Sequence, residues 1–357
     1  MNVLLIEPSY PTKFPPLGLL RISSYHKARG DKVFFLKLLR RLPDLPQEDF
    51  DLIYITTLYT YRAKDVFKAV RFSKALWPEA TIKLGGVLAS VLPDFLEAQT
   101  GIRPHVGPLD YAESYPPDYS LFPKGEISIT RTSQGCPHGC FYCSTRILSP
   151  TFRTFENWKE DLSLDRRRLV LLDDNFLASP NFEKDAEFLV KLCRVFDFKI
   201  EITQGLDCRL FDMEKGLLLR LMNLEALRFA WDNPSQEGYI EKAILTARLC
   251  LFRNSTKIRV YVLYGTPKSY DTPEYLYHRL NVLNKLSVQS YPIVYRPLNW
   301  TTQKLYVAPN WRRKWLKKIW NLLHYCYRRG FVAPSREMFL DIFGKNKHEF
   351  LMKLEKE

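Results

Sequence analysis

Between Glu274 and Glu337 the chain contains no Asp or Glu, yet twelve Lys and Arg fall in that stretch. They account for most of the net charge of +14. A segment of one sign gives an electropositive surface suited to an anionic partner, whether nucleic acid, lipid headgroups or a phosphorylated small molecule. Long apolar runs are missing as well: none reaches the ~18 residues that a membrane span requires. The opening MNVLLIEPSY has neither a basic start nor a cleavage site, so no secretory leader is expected. The seven cysteines are odd in number, which suits a reducing compartment better than a disulfide framework. The expectation is a cytoplasmic protein. With 357 residues, 46% of them hydrophobic, the chain can bury two cores.

What is present is concentrated at Arg131–Arg146, RTSQGCPHGCFYCSTR. Cys136, Cys140 and Cys143 follow a C-x3-C-x2-C spacing, with Gly135, Pro137 and Gly139 among them to let the backbone curl. Three thiolates aimed at one point from a single loop suit an iron–sulfur cube, each holding one iron and leaving the fourth open. A structural zinc knot is the alternative, with His138 or a distant cysteine as fourth ligand. Zinc ligands usually come as two separated pairs, and no second pair exists here. Cys193, Cys208, Cys250 and Cys326 are solitary, which fits small core residues.

Around this loop the pattern is strand and helix in alternation. Residues 2–6, 32–36, 51–57 and 81–84 read as strands, with helices over 17–29 and 64–76, the latter apolar on Val66, Phe67, Val70 and Ala75. The fourth strand ends in Gly85-Gly86. This predicts an open parallel sheet with helices on both faces. The segment YPPDYSLFP, 115–123, is dense in proline and reads as a semi-rigid connector. Beyond it, strands are expected at 126–132, 168–173, 199–203, 226–231, 257–264 and 289–296. Helices are expected at 181–196, 214–224, 239–249 and 273–286. In the first of these helices Phe182, Ala186, Leu189, Cys193 and Phe196 recur on one side. Chemistry in such repeats sits at the strands' carboxyl ends, and polar residues stand there: Asp173-Asp174-Asn175; Gln204, Asp207 and Arg209; Asp232-Asn233; and Gly265-Thr266-Pro267. Asp and Asn in these places also cap helices as ordinary loop chemistry.

The cysteine spacing, with Tyr142 just before the last cysteine, resembles the radical S-adenosylmethionine superfamily. The segments PPLGLL (Pro15–Leu20) and LGGVLAS (Leu84–Ser90) resemble the cobalamin-binding domain that precedes the radical domain in one branch of it. The resemblance implies an α/β chain: a Rossmann-like parallel-sheet domain of the cobalamin-binding type over 1–110, a proline-rich linker over 111–124, a partial (βα)6 TIM barrel over 125–300, and C-terminal helices and tail over 301–357. It implies a [4Fe-4S] cluster on Cys136, Cys140 and Cys143, reductive cleavage of S-adenosylmethionine to a 5′-deoxyadenosyl radical, and an electron donor of flavodoxin or ferredoxin type. By position, Asp173 or Asp174 would orient the amino group of S-adenosylmethionine, Arg209 would pair its carboxylate, and Asp232 or Asn233 would meet its ribose. Tyr142, Gln204 and Gly265 complete that set. Gly85 and Gly86 would admit cobalamin, and with it methyl transfer. No side chain stands out as catalytic. Three departures from the family pattern count against the finer roles. No D-x-H-x-x-G offers cobalt a histidine, the end of the first domain is short, and WDNP replaces the usual turn after the fourth strand. Thiomethylation of transfer RNA is a further family activity, but its extra cluster-bearing and RNA-binding domains are not recognisable. From another class, a non-catalytic metal-stabilised protein binding nucleic acid stays open.

The last segment, 309–330, predicts an amphipathic helix. Trp311, Trp315, Leu316, Ile319, Trp320, Leu322, Leu323 and Cys326 fall on one half, and Arg313, Lys314, Lys317, Lys318 and Arg328 on the other. An outer covering helix with its basic side in water is the plain reading; contact with nucleic acid or an anionic membrane surface is the other. A short helix at 335–343 and a mobile tail are expected to close the chain.

Overall fold

The computed structural model describes residues 1–38, 46–250, 258–328 and 335–356. Lys257 and Gly330, and the side chains of Cys326 and Arg328, lie outside the described residues. The chain is mixed α/β with parallel sheets. It forms two compact units, Met1–Val170 with Pro297–Lys304 and Leu171–Arg296 with Leu305–Glu357. The proline-rich stretch 111–124 lies inside the first unit.

In the first unit, β1 (Asn2–Glu7), α1 (Leu17–Ala28), β2 (Lys32–Lys37), β3 (Leu52–Thr56), α2 (Ala63–Leu76) and β4 (Thr81–Gly85) alternate in sequence. The strands are all parallel, in the order β2-β1-β3-β4. Strand β1 is interior and buried on both faces. Leu4 and Ile6 share a core with Ile53, Ile55, Val66 and Val70. Val3 and Leu5 pack with Leu52, Tyr54, Leu19 and Ile22 on the opposite face. A strand covered twice has no polar side to show, so its sequence is a solid apolar run. On α2 the buried stripe is Ala63, Val66, Ala69, Val70 and Ser73. Phe67 is half-buried and Ala75 is exposed, so the expected apolar side is rotated: small residues let the helix close on the sheet, and a methyl group costs little in water.

Helices α3 (Val87–Val91), α4 (Pro93–Thr100) and α5 (Asp110–Glu113) follow. The shortened end of this sheet is visible as one backbone bond, His105 N donating to Leu84 O of edge strand β4 at 2.8 Å. Strands β5 (Ile127–Thr130) and β6 (Ser133–Gln134), helix α6 (Thr145–Leu148) and strand β7 (Arg153–Thr154) carry the cysteine loop. Strand β8 (Arg168–Leu171) starts in the first unit, and its last residue belongs to the second.

The second unit continues α7 (Phe182–Phe196), β9 (Lys199–Ile202), α8 (Met213–Leu221), β10 (Leu227–Ala230), α9 (Tyr239–Leu249), β11 (Ile258–Tyr264), α10 (Pro273–Lys285) and β12 (Gln289–Val294). Strands β10, β11 and β12 pair in that order, all parallel. Phe196 is 37% exposed, outside the expected stripe of α7, because the helix ends there, at Asp197 in the left-handed region (φ 53°). The unit closes with α11 (Arg313–Arg328), α12 (Arg336–Phe343) and α13 (Lys347–Glu355). Two expectations fail here. Trp320 is 52% exposed and does not join the buried half of α11. The tail is a helix rather than a mobile end: Asn346 caps it by accepting from Glu349 N at 3.0 Å, and Phe350 (0% exposed) and Leu354 (1%) seat it against α10 and α11. Among the described residues, no helix is long and apolar enough to cross a membrane.

Candidate functional site

The cysteine loop is a closed excursion from the carboxyl side of β5. Its stem is the antiparallel pair β6–β7, with Ser133 opposite Thr154 and Gln134 opposite Arg153. Gln134 pins both sides of the stem, donating from Nε2 to Ser149 Oγ at 2.6 Å and accepting from Arg153 Nη2 at 2.7 Å. Phe155 N also donates to Thr132 O at 2.9 Å. Gly135 makes the entry to the loop. It sits at φ +101°, and a Cβ there would lie 2.8 Å from Phe152 Cα and 3.0 Å from Thr151 O, so only glycine fits. Cys136, Cys140, Cys143, His138 and Tyr142 are all half-buried. Cys143 N donates to Cys140 O at 3.0 Å, which turns the C-x2-C pair, and the Tyr142 ring packs edge-on to Phe141 with centroids 5.2 Å apart.

The donor set is three half-buried thiols carried on one stem-closed loop. A zinc knot needs its ligands within about 2.3 Å of one metal. Among the described residues, no three His, Cys, Asp or Glu side chains are grouped to hold a metal ion. That bears on a cube and an ion alike, so the preference for a cube rests on the C-x3-C-x2-C spacing within one loop.

The glycine turn after β4 is built on Thr57. Thr57 N and Oγ1 donate to Gly85 O at 2.8 and 3.0 Å, and Leu88 N and Ala89 N donate back to Thr57 O and Oγ1. Gly86, at φ +115°, passes so close that a Cβ would meet Thr57 O at 3.0 Å and Thr57 N at 3.1 Å. Gly85 differs: a Cβ there would meet nothing within 4 Å. Gly86 is thus glycine for the fold, while Gly85 faces space that a ligand could take. Helix α3, which starts at this turn, packs against α6, which follows Cys143.

In the second unit the strand-end residues form a chain of polar contacts. Asn175 Nδ2 donates to Asp207 Oδ2 at 3.3 Å, linking the loop after β8 to the loop after β9. Arg209 forks onto the same carboxylate through Nε at 2.8 Å and Nη2 at 3.2 Å. The guanidinium expected to pair a ligand carboxylate therefore already holds a protein one. Asp173 is fully buried, Asp174 half-buried and Gln204 exposed. Asp232 Oδ1 accepts from Leu263 N at 3.0 Å, bridging to β11. Asn233 accepts from Ser235 N at 3.0 Å and caps a short turn. Gly265, at φ +83°, would carry a Cβ 3.4 Å from Leu316 Cδ2, so backbone conformation and the approach of α11 account for it. Nearby Cys208 is held as a thiol, burial pushing it up to about 12.

Sequence reasoning missed Thr57 and the buried group around Arg21, Glu113 and Asp161. A threonine ending a strand carries no signal by itself. Arg21 lies among apolar helix residues, and nothing local marks its distant partner.

No protein-family model and no curated protein matches the sequence. Among solved structures the chain is similar to the cobalamin-dependent S-adenosylmethionine radical enzyme OxsB with aqua-cobalamin bound. The TM-score is 0.54 at 15% identity, covering 82% of this chain and 53% of that one. At that identity the likeness is one of fold. The chain spans about half the length of that protein.

Proposed function

We propose that the protein is a radical S-adenosylmethionine enzyme in which a Rossmann-like cobalamin-type domain, 1–110, precedes a partial (βα)6 barrel, 125–300. The observation that carries this reading is the packing of α3 on α6. It makes neighbours, in one compact unit, of a glycine turn with space before Gly85 and a stem-closed loop bearing C-x3-C-x2-C. The likeness in fold to a cobalamin-dependent radical enzyme supports the same reading.

In this reading Cys136, Cys140 and Cys143 hold a [4Fe-4S] cluster, and Gly85 lies against cobalamin. When bound, the cluster supplies the electron that cleaves S-adenosylmethionine, and cobalamin supplies a methyl carrier. The chain's own residues bind and orient. Asp173, Asp174, Gln204, Asp232 and Asn233, all at strand ends of the second unit, are the residues the resemblance assigns to S-adenosylmethionine, with Tyr142 and Gly265 added by position only. Arg209, held by the Asp207 carboxylate, is the cation that the resemblance assigns to the carboxylate of S-adenosylmethionine. The barrel keeps water from a reactive intermediate. The reaction is methyl transfer to an unactivated carbon or phosphorus of an anionic substrate, with electrons from a flavodoxin- or ferredoxin-type donor.

Anaerobic reconstitution tests this directly. About four irons per chain and formation of 5′-deoxyadenosine or a methylated product are expected, both abolished when the three cysteines become Ala. Stoichiometric zinc with no iron uptake would refute the reading.

A further inference from the structure

Helix α11 has two sides of different character. Leu316 (1% exposed), Ile319 (0%) and Leu323 (6%) are buried in the second unit. On the outside, Arg313, Lys317, Trp320 and His324 are all exposed and recur at i, i+4, i+7 and i+11, so they form one stripe along the helix. Trp320, 52% exposed, lies stacked on His324 with centroids 5.0 Å apart and 24° between the planes.

The charges on α11 are not equivalent. Arg312 and Lys314 are paired with Glu355 of α13, which also accepts from Trp315 Nε1 at 2.9 Å. Arg313 and Lys317 meet no acid among the described residues. The two cations stand about 6 Å apart along the helix axis, and the indole about 4.5 Å beyond the second. The stripe therefore offers two uncommitted cations and, in line with them, an aromatic face open to solvent.

We infer that this stripe binds single-stranded nucleic acid, phosphates on Arg313 and Lys317 and a base on the Trp320–His324 stack. A partner must supply negative charge and a flat face at nearly the same spacing, as successive nucleotides do. A duplex keeps its base faces stacked away from the indole. A membrane surface needs a broad apolar helix face to immerse, and on α11 that face is already buried in protein. Nucleic-acid binding by the stripe does not depend on the cofactor reading.

The test uses the full chain with fluorescein-labelled 20-nucleotide oligouridylate and oligothymidylate, followed by anisotropy across a salt series. Binding is expected to weaken linearly in log–log form. The double variant Arg313→Glu, Lys317→Glu should flatten that slope by about 1.4, since each phosphate that is no longer neutralised accounts for roughly 0.7. Trp320→Ala should weaken binding about tenfold, the scale of one base stacked on an aromatic side chain, while Trp320→Phe should restore most of it. Lys191→Glu, an exposed reversal on α7, removes the same kind of charge elsewhere and should leave affinity unchanged. The inference is overturned if neither oligomer binds at low salt, or if Lys191→Glu weakens binding as much as the stripe variants. It also fails if phosphatidylserine vesicles bind with the same dependence on Arg313, Lys317 and Trp320 while the oligomers do not.

Discussion

Arg21 of α1 and Asp161 meet at 2.7 Å through Nη2 and Oδ2, with 5% and 3% of their side chains exposed. Arg21 also donates to Glu113 O, Arg131 pairs with the Glu113 carboxylate, and Thr130 Oγ1 donates to Asp161 Oδ2 at 2.5 Å. This buried group ties the first helix of the parallel sheet to β5, the strand that leads to the cysteines. It gives the first unit its continuity across the proline-rich stretch.

Removing one partner strands the other's charge in protein, so Arg21→Met should cost about 3–5 kcal/mol, read from urea midpoints. The carboxyl of Asp161 is pushed up to about 6 by burial, against the pull of Arg21, Thr130 and Arg131. Between the ordinary carboxylate value near 4 and about 6, the folded chain holds the proton more tightly than the unfolded chain. Stability from this group is therefore present below that window and falls as pH rises through it. Asp161→Asn cannot titrate, so the difference between wild type and variant should change with pH from 4 to 6 and level off above. A flat difference across that range would show that the carboxylate keeps its ordinary affinity for protons.

The cysteine loop separates its glycines. Gly135→Ala would place a methyl group 2.8 Å from Phe152 Cα at a backbone angle that alanine resists, a strain on the order of 1–3 kcal/mol. It is expected to lower iron uptake although all three thiols remain. At Gly139 a Cβ meets nothing within 4 Å, so Gly139→Ala should load iron as the wild type does. Iron and sulfide content after anaerobic reconstitution distinguishes the two. Equal loading in both variants would detach the stem geometry from cluster assembly.

How much of this was legible depends on what each feature rests on. The solid apolar run of β1 and the strand expected over 257–264 are local signals, and both strands stand in the structure, at Asn2–Glu7 and Ile258–Tyr264. The expected domain edge is another matter, since proline reports extended backbone and says nothing about independence. Residues 111–124 are held on both sides: Asp118 N donates to Leu20 O, and Tyr119 Oη accepts from Ile129 N at 2.8 Å. Arg209 was readable as a fork-shaped donor, but its occupation by Asp207, two residues back, required the turn after β9. The second helical half of the C-terminal region was hidden by composition. In KNKHEFLMKLEKE the charges dominate, and only Phe350 and Leu354, four residues apart, reveal a buried side.

That hidden helix can be tested at its anchor. Phe350 is fully buried, with ring centroids 5.5 Å from Tyr277 and 6.2 Å from Phe343. Phe350→Ala should cost about 3–5 kcal/mol, because the ring's burial is forfeited and a cavity opens in its place. That is a large part of a domain's usual margin. Thermal unfolding followed by circular dichroism measures it. A loss below about 1 kcal/mol would mean that α13 contributes little to the second unit.

The two glycines after β4 invite a comparison that a single substitution could not make. Gly86→Val is destabilising on structural grounds alone: the left-handed backbone angle excludes a branched side chain, and its Cβ would press on the Thr57 backbone at 3.0 Å. Failure of that variant to hold cobalamin would report damage to the turn and nothing about the ligand. Gly85→Val is the informative change. Its Cβ enters open space, so the thermal midpoint of the apoprotein is expected to stay close to that of the wild type. The isopropyl group would then stand where a corrin ring has to approach the backbone. Wild type titrated anaerobically with hydroxocobalamin and desalted should retain the cofactor by absorbance. Gly85→Val should retain at least tenfold less at the same concentration, with its fold intact by circular dichroism. Equal retention by the two would remove Gly85 from any cobalamin site, and no retention by the wild type would leave the sheet as a platform for another ligand and end the methyl-transfer proposal.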